Sequence, residues 1–448
     1  MIDRDCQFPL YKHIGRHDCF RAVFVLFLLS LNGCTTYPQQ SESLDYRARA
    51  ETQTKGLIRV TAVVLSPQES EKSFGVPLAK KSVQPVWLEI ENQNDKEMYL
   101  MALSIDPDYF APSEVAWMFR SYQQDSLYDE DDMNNIVSPE DSIDMFLDKH
   151  VPVVIPPNST VSGYVYTNLD PGGKAFAVEL FGTRLVQTFD FVQAVPGFEA
   201  DFMQVDFYQL YPPDEVRDLN LDELRQYLET LPCCVLGGDR KTAGDPLNLV
   251  IVGDGQHVLA TLVRRNWDLT ETMRQDTAWR TVASSFFGSQ YRTSPVSPLY
   301  LFDRPQDFAL QKSRASVNER NHLRLWLAPV TLEGKSVWVG QISRDIGVKL
   351  SSKTLVTHKI DPVIDEARLY ITLDIAASET LRSIGYVKGV GSSDRDAPRF
   401  NYTKDPYYTD GLRAVLIFGE DRIPLDRIEY LSWEHATQKK KGKKKAGK

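Results

Sequence analysis

The sequence has few cysteines, and their positions argue against a zinc site. Five cysteines occur in 448 residues, and none of them has the spacing of metal ligands. Cys6 and Cys19 precede the first apolar run of the chain, and Cys34 follows it. Only the adjacent Cys233 and Cys234 lie elsewhere. They form either a vicinal disulfide in an oxidising compartment or two small buried apolar residues after a helix.

Compact catalytic signatures are absent as well. The chain contains no Gly-x-Ser-x-Gly, His-Glu-x-x-His or Cys-x-x-Cys. Gly253-Asp254-Gly255 follows a strand-like run, and free backbone N–H groups at a helix start attract phosphate. This turn, however, lacks the third glycine of a dinucleotide loop and the Lys-Ser/Thr of a P-loop. We therefore expect no cofactor, and a binding or assembly module more than an enzyme.

Basic charge is scarce except at the C-terminus. The formal net charge is -10, although seven of the ten residues Lys439–Lys448 are lysine. The remaining chain is therefore strongly acidic and is a poor partner for nucleic acid. The lysine-rich tail has the composition of a disordered segment. It is either simply solvated or makes a second contact with anionic lipid or lipopolysaccharide.

Long apolar runs are limited to Ala22–Leu31, which has the length of a signal-peptide core. A membrane-spanning helix needs roughly 20 residues. The run ends in Leu31-Asn32-Gly33-Cys34, the pattern of a lipoprotein signal, and the polar segment Thr35–Gln53 has the composition of a tether. The alternative is a buried apolar helix of the folded domain. We expect cleavage before Cys34 and attachment of lipid, with acyl chains such as palmitate, to that cysteine.

The predicted anchor gives an expected location and partners. The protein would be held on a bacterial membrane, on its periplasmic or cell-surface side, by the lipid on Cys34. Thr35 follows the cysteine in place of Asp, which favours the outer membrane. An envelope protein of unknown identity is a further expected partner.

Short strands separated by turn residues predict an N-terminal β-sandwich. An acidic insertion between about Pro112 and Lys149 is predicted to be partly helical. Its Asp129–Asp132 run could attract calcium, but it lacks the ligand spacing and glycine of an EF-hand loop and is better explained as a solvated loop. The predicted strands are Leu57–Leu65, Val83–Glu91, Val151–Ile155, Thr160–Thr167 and Ala175–Phe181.

The second half of the chain mixes helix and strand patterns. Leucines at helical spacing after Pro212-Pro213 predict a connecting helix, and Asp361 with Pro362 predicts the start of a later helix. The predicted fold is therefore mixed, an antiparallel β-sandwich followed by an α/β (α+β) domain. The predicted divisions are 1–33 signal peptide, 34–56 tether, 57–200 sandwich with insertion, 201–240 linker with connecting helix, 241–435 second domain and 436–448 tail.

This second domain resembles the LssY C-terminal domain family over about 190 residues. The resemblance implies an envelope role, since domains of this family occur fused to membrane proteins of phosphatase or DedA-like type. The segments that carry it are Asn248–Gly253 with Trp267, Arg304–Lys312, Asn321–Trp326, Val337–Gly340 with Asp345, and Thr357–Asp361 with Asp365 and Arg368.

Four polar residues in these segments are candidate site residues, namely His322, Asp345, His358 and Asp361. Two histidines and two carboxylates could bind a divalent metal or perform acid–base chemistry, which would suit a hydrolase acting on a phosphorylated or lipid-linked envelope substrate. The alternative is a structural network in which arginines pair with these carboxylates and Asp361 caps a helix. The predicted supporting residues are Arg304, Gln311, Arg324, Asp365 and Arg368.

Overall fold

The computed structural model describes residues 45–125, 139–170, 173–196, 210–270, 298–313, 320–351 and 355–436. The predicted signal peptide, Cys34, residues 35–44 of the predicted tether, Asp129–Asp132 and the lysine-rich tail lie outside these ranges. The rest of the predicted tether is not an unstructured linker, because Tyr46–Arg49 form a short 3-10 helix and Glu51–Lys55 form a strand. Within the described residues, no helix combines the length and the apolar character needed to cross a membrane.

The first domain is a β-sandwich of two four-stranded antiparallel sheets, as the sequence predicts. Its strands are β1 (Glu51–Lys55), β2 (Ile58–Val64), β3 (Val83–Asn92), β4 (Met98–Met101), β5 (Val154–Ile155), β6 (Ser159–Asn168), β7 (Gly173–Gly182) and β8 (Leu185–Ala194). Its helices are α1 (Pro67–Phe74), α2 (Pro112–Asp125) and α3 (Pro139–Asp148). One sheet has the order β1-β2-β3-β6 and the other β5-β4-β7-β8, and apolar side chains of both sheets form the core between them.

Strand β3 alternates only in its second half because its first half is buried on both faces. All of Val83–Leu88 is buried, whereas the half-buried Glu89 and Glu91 alternate with buried neighbours. The first sheet has the sandwich core on one side. On the other side, helices α1 to α3 cover it with aromatic side chains that include Phe74 and Phe146, whose rings stack 5.5 Å apart. The predicted partly helical insertion therefore forms the outer layer of this sheet.

The second domain is built on a ten-stranded mixed sheet. Its strands are β9 (Arg217–Leu219), β10 (Cys234–Leu236), β11 (Ala243–Pro246), β12 (Leu249–Val252), β13 (Asp268–Leu269), β14 (Tyr300–Leu301), β15 (Arg304–Pro305), β16 (Phe308–Ser313), β17 (Arg320–Leu332), β18 (Lys335–Ser351), β19 (Leu355–Ile360), β20 (Leu381–Lys388), β21 (Arg399–Phe400), β22 (Pro406–Tyr407), β23 (Leu412–Phe418) and β24 (Glu429–Tyr430). Its helices are α4 (Leu221–Thr230), α5 (Gly255–Arg264) and α6 (Ile364–Ala376).

The order of the large sheet is β13-β16-β17-β18-β12-β23-β20-β24, with β19 paired to β18 and β9 paired to β17. Most neighbours are antiparallel, but β12 and β23, β9 and β17, and β20 and β24 are parallel. A small sheet, β11-β10-β14-β15, lies apart from it. The whole is the β-rich mixed α+β fold that the sequence predicts.

Helices cover both faces of the large sheet. Apolar residues of α5 and α6 form the core on one face, and α4 packs with β10 and β14 on the other. Leu224 and Leu228 of α4 are fully buried there, and Asn220 caps the helix through its side chain. The segment predicted as a connecting helix is thus packed into the second domain, because its leucines face the sheet and not solvent.

The two domains contact each other where α5 packs against β7 and β8. Glu179 of the sandwich accepts hydrogen bonds from Arg264 at 3.0 Å and from Arg422 at 2.9 Å. His257 lies 2.8 Å from Asp190, measured between Nδ1 and Oδ2. Partly buried polar contacts of this kind help to fix one surface against the other, so the sandwich and the second domain pack together.

Candidate functional site

The predicted site residue His322 belongs to a row of buried polar side chains on one face of three neighbouring strands. The register pairs Gln311 of β16 with His322 of β17, and His322 with Ser343 of β18. Directly opposed residues share a face of the sheet, and so do residues two apart on one strand. We call this row the polar ladder; its members are Gln311, Arg320, His322, Arg324, Gln341, Ser343 and Asp345, all of them buried.

His322 and Asp345 are in direct contact within the polar ladder. The distance from His322 Nε2 to Asp345 Oδ2 is 2.5 Å. Because an ionised carboxylate only accepts hydrogen bonds, this geometry places an imidazole proton on Nε2, which donates it to Asp345. His322 is 6% exposed and Asp345 3% exposed, so the pair is enclosed.

Arginines flank the pair on the same strand. Arg320 lies 3.7 Å from Asp345, and its Nη1 donates a hydrogen bond to Gln311; Arg324 donates to Gln341 at 2.9 Å. Burial lowers the pKa of Arg320 to about 10, even though Asp345 opposes the shift. Burial, together with the charges of Arg320 and Arg324, holds the pKa of His322 well below its usual value. The imidazole is therefore neutral at pH 7.

The other two predicted site residues, His358 and Asp361, are not members of the polar ladder. His358 lies on β19, where its backbone pairs with Val348, and its side chain is outside the described part of the structure. Asp361 lies just after β19, and its side chain accepts a hydrogen bond from the backbone N–H of Val363 at 2.9 Å. The helix begins at Ile364, with Val363 as its N-cap, so the predicted start at Asp361 and Pro362 is early. Asp361 closes a local turn before the helix instead of capping it.

A hairpin turn explains how His322 and Asp345 meet. Glu333 and Gly334 both have positive φ, as a two-residue turn between right-twisted strands requires. The register shifts between Leu327 and Thr331, which sets His322 opposite Ser343 and leaves Asp345 diagonal to it. The Glu-Gly pair between two apolar strands was a signal for this hairpin that the sequence analysis missed.

Of the predicted supporting residues, two arginines form paired ion contacts away from the polar ladder. Arg304 binds Asp307 through two hydrogen bonds of 2.8 Å. Arg368 binds Asp410 at 2.8 and 2.7 Å and lies 3.4 Å from Asp365. Burial lowers the pKa of Arg368, but the bonds and charges of its carboxylate partners outweigh burial and raise it overall. Asp410 was not predicted, since no local pattern marks it.

The Gly253-Asp254-Gly255 turn has a structural explanation. Asp254 is the N-cap of α5, and its side chain accepts hydrogen bonds from the backbone N–H groups of Gln256 and His257. A Cβ at Gly255 would lie 3.0 Å from the indole of Trp338, whose Nε1 donates to Gly253 at 3.0 Å. The helix start is thus occupied by its own capping carboxylate, and the glycines allow close packing on the indole.

A second candidate site is an open groove on the second domain, which sequence reasoning did not anticipate. Its volume is about 670 Å³, within the range of small-molecule sites. We call it the disulfide groove because Cys233 and Cys234 form a vicinal disulfide in its wall. The lining residues are Cys233, Cys234, Ala243, Gly389, Val390, Gly391, Arg399, Phe400 and Tyr407.

The polar groups of the disulfide groove are few. Tyr407 is buried, and its hydroxyl lies 3.6 Å from Cys234 Sγ. Burial raises the pKa of Tyr407, although the charge of Arg399 opposes the shift, so the phenol stays protonated at neutral pH. Arg399 is exposed, and its Nη1 donates to the carbonyl of Val390 at 2.7 Å. These residues come from strands far apart in sequence, which is why no motif revealed the groove.

Comparison with known proteins supports the assignment of the second domain. No curated protein matches the chain. Within the described ranges, no group of three His, Cys, Asp or Glu side chains is placed to hold a metal ion. Residues 225–412, a stretch that contains both the polar ladder and the disulfide groove, match the family described as LssY C-terminus. This part of the chain therefore belongs to the LssY C-terminus family.

Proposed function

We propose that the protein is a lipid-anchored lipoprotein of the bacterial envelope that acts as a binding module at the membrane surface. The observation that carries the proposal is the disulfide groove, which is open and combines an apolar wall with one cation. Ligand sites typically have this composition, with few polar groups that fix orientation. The lipid anchor at Cys34 rests on the sequence pattern alone.

A hydrolase is the second candidate, because His322 and Asp345 do meet at 2.5 Å. A general base must come within hydrogen-bond reach of a substrate or a water. The His322 ring is 6% exposed and is flanked by Arg320 and Arg324. Enclosure and low basicity both suit a structural role better than proton transfer, so we favour binding.

Binding is tested by blocking the groove. Ala243 is exposed and lines the groove, so Ala243→Trp would fill it; Ala377→Trp places the same side chain at the exposed end of α6 as a control. A set of neutral, anionic and cationic ring compounds is titrated into the full chain in detergent and followed by ligand-observed NMR. We expect compounds that bind the wild type and the control but not Ala243→Trp. Binding that is equal in all three proteins, or absent in all, would refute a groove-binding function.

The anchor and the rival activity have their own tests. Cys34→Ser should leave an uncleaved precursor without lipid, and normal detergent-phase partitioning of that variant would refute the anchor. For the hydrolase, His322→Gln is assayed with phosphate esters. Turnover by the wild type that the variant loses, while its unfolding midpoint is retained, would overturn the preference for binding.

A further inference from the structure

We infer that the disulfide groove selects an amphipathic anion, an apolar ring that carries a carboxylate or a phosphate. This inference rests on the proposed binding function and names the ligand class for it. Three features of the groove support it: one cation that has no carboxylate partner among the described residues, an apolar wall, and a neutral phenol beside the cation.

The cation is Arg399. In the described part of the chain, no carboxylate oxygen lies within 4 Å of its guanidinium. The group is nevertheless held in place, since it donates to Val390 at 2.7 Å and packs against Gly391. A Cβ at Gly391 would lie 2.7 Å from Arg399 Nη2, so the glycine leaves the space that the guanidinium occupies.

This cation stands out because the protein as a whole is acidic, with a formal net charge of -10. Two other arginines of the second domain are paired with carboxylates, Arg304 with Asp307 and Arg368 with Asp410. A positioned guanidinium without such a pair offers a planar set of donors that matches carboxylate and phosphate oxygens. An anion is therefore the charge class that the groove favours.

The wall of the groove supplies the apolar part of the site. The disulfide of Cys233 and Cys234 has no N–H or O–H to donate, and the exposed Ala243 adds aliphatic surface. Such a surface gains free energy only when apolar area is removed from water. A ligand with a ring would cover it, whereas a small inorganic anion would not.

Tyr407 is consistent with the preference of the groove for an anionic ligand. It lies opposite Arg399 in the β21–β22 pair, so both side chains share one face of that hairpin. Because burial keeps the phenol protonated, Tyr407 interacts with Arg399 without adding a negative charge beside that cation. The exposed guanidinium of Arg399 beside an apolar wall therefore defines where the acidic group of the ligand would lie.

The experiment compares four probes by calorimetric titration of the full chain in detergent: phenyl phosphate, benzoate, benzyl alcohol and inorganic phosphate. We expect both ring anions to bind about tenfold more tightly than benzyl alcohol, which is the order of one charge-assisted interaction. Inorganic phosphate should bind more weakly than phenyl phosphate. The ratio of phenyl phosphate to benzoate then tells a phosphate ligand from a carboxylate ligand.

Variants assign the effect to the groove. Arg399→Met should abolish the preference for anions while leaving the affinity for benzyl alcohol unchanged. Arg427→Met, at another exposed arginine of the same domain, should keep the wild-type preference. A preference that survives Arg399→Met, or equal binding of benzyl alcohol and benzoate, would overturn the assignment of an anion.

The two proposals fail in different ways. If neutral or cationic rings bind and are displaced by Ala243→Trp, the groove is a binding site and only the anionic class is wrong. If inorganic phosphate binds as tightly as phenyl phosphate, the apolar part of the class is wrong. If no probe of any charge responds to Ala243→Trp, the proposed binding function itself is wrong.

Discussion

The guanidinium of Arg413 occupies the space that a side chain at Gly389 would need. Arg413 is fully buried, and its Nε donates to the carbonyl of Leu247 at 2.8 Å. Its two Nη atoms bind the carbonyls of Leu228, Leu231 and Pro232. Burial lowers the pKa of Arg413 to about 10. This arginine therefore joins β23 to the chain that enters the vicinal disulfide, and Gly389 makes room for it.

Gly389→Ala should destabilise the protein by about 2–4 kcal/mol, because the new Cβ displaces the guanidinium and because φ at this position is +140°. Urea unfolding would measure the loss. Gly238→Ala is the matched control, since a Cβ there meets nothing within 4 Å, and it should change stability by less than about 0.5 kcal/mol. Equal effects of the two substitutions would contradict the packing argument.

His322 should make stability depend on pH. In the folded state, burial and the two flanking arginines lower the pKa of His322. At mildly acidic pH the unfolded state therefore binds a proton at this residue that the folded state does not bind. Stability is then complete above the ordinary histidine pKa of about 6.5 and falls as pH decreases below it, by at most about 1.4 kcal/mol per pH unit.

His322→Gln should reduce this dependence in urea unfolding between about pH 5.5 and pH 7.5, and His150, whose pKa burial also lowers, should leave part of it. His435→Gln, at an exposed position, should keep the wild-type slope. An unchanged slope in His322→Gln would contradict the prediction, because it would mean that the pKa of His322 is not depressed in the folded protein.

The vicinal disulfide predicts a defined chemical response. Trypsin should release Gln226–Arg240, which carries both cysteines. Without prior reduction this peptide should resist iodoacetamide, and after reduction of the disulfide it should gain two hydrogens and accept two alkyl groups. Mass spectrometry reads both states. Alkylation of the unreduced, denatured chain would show that the two thiols are free.

The domain interface predicts an asymmetry between two identical substitutions. Glu179→Gln removes the charge that lies between Arg264 and Arg422, and we expect a loss of about 1–3 kcal/mol, below the value for a fully buried pair because Arg422 is 42% exposed. Glu91→Gln changes a glutamate that pairs with the exposed Arg59 and should cost less than about 1 kcal/mol. Similar losses in both variants would argue that Glu179 does not hold the domains together.

The alternation of apolar and polar residues predicted much of the sandwich, because the pattern in each strand depends on which of its faces is buried. The predicted strand Val83–Glu91 agrees with β3. Its alternation is incomplete because helices cover the outer face of its first half. Of the predicted strand Val151–Ile155, only Val154–Ile155 forms a strand, which pairs with Met98 and Tyr99 of β4. The helix after Asp361 was predicted, but it begins at Ile364.

The candidate sites were predictable only where they depend on local sequence. The contact of His322 with Asp345 follows from a hairpin whose Glu333-Gly334 turn is visible in the sequence, but its register depends on the irregularity between Leu327 and Thr331. The disulfide groove depends on strands that meet only after folding. Pairings of this kind are fixed by tertiary packing, which single-sequence patterns do not encode.

The packing of α5 on β7 and β8 also bears on how the chain is made. The strands that carry Glu179 and Asp190 leave the ribosome before the helix that covers them, since synthesis proceeds from the N-terminus. Until that helix is made, the two carboxylates have no partner from the second domain, and charged side chains of this kind disfavour edge-to-edge association. Glu179, which later binds Arg264 and Arg422, and Asp190, which later contacts His257, therefore make this face acidic before the second domain covers it.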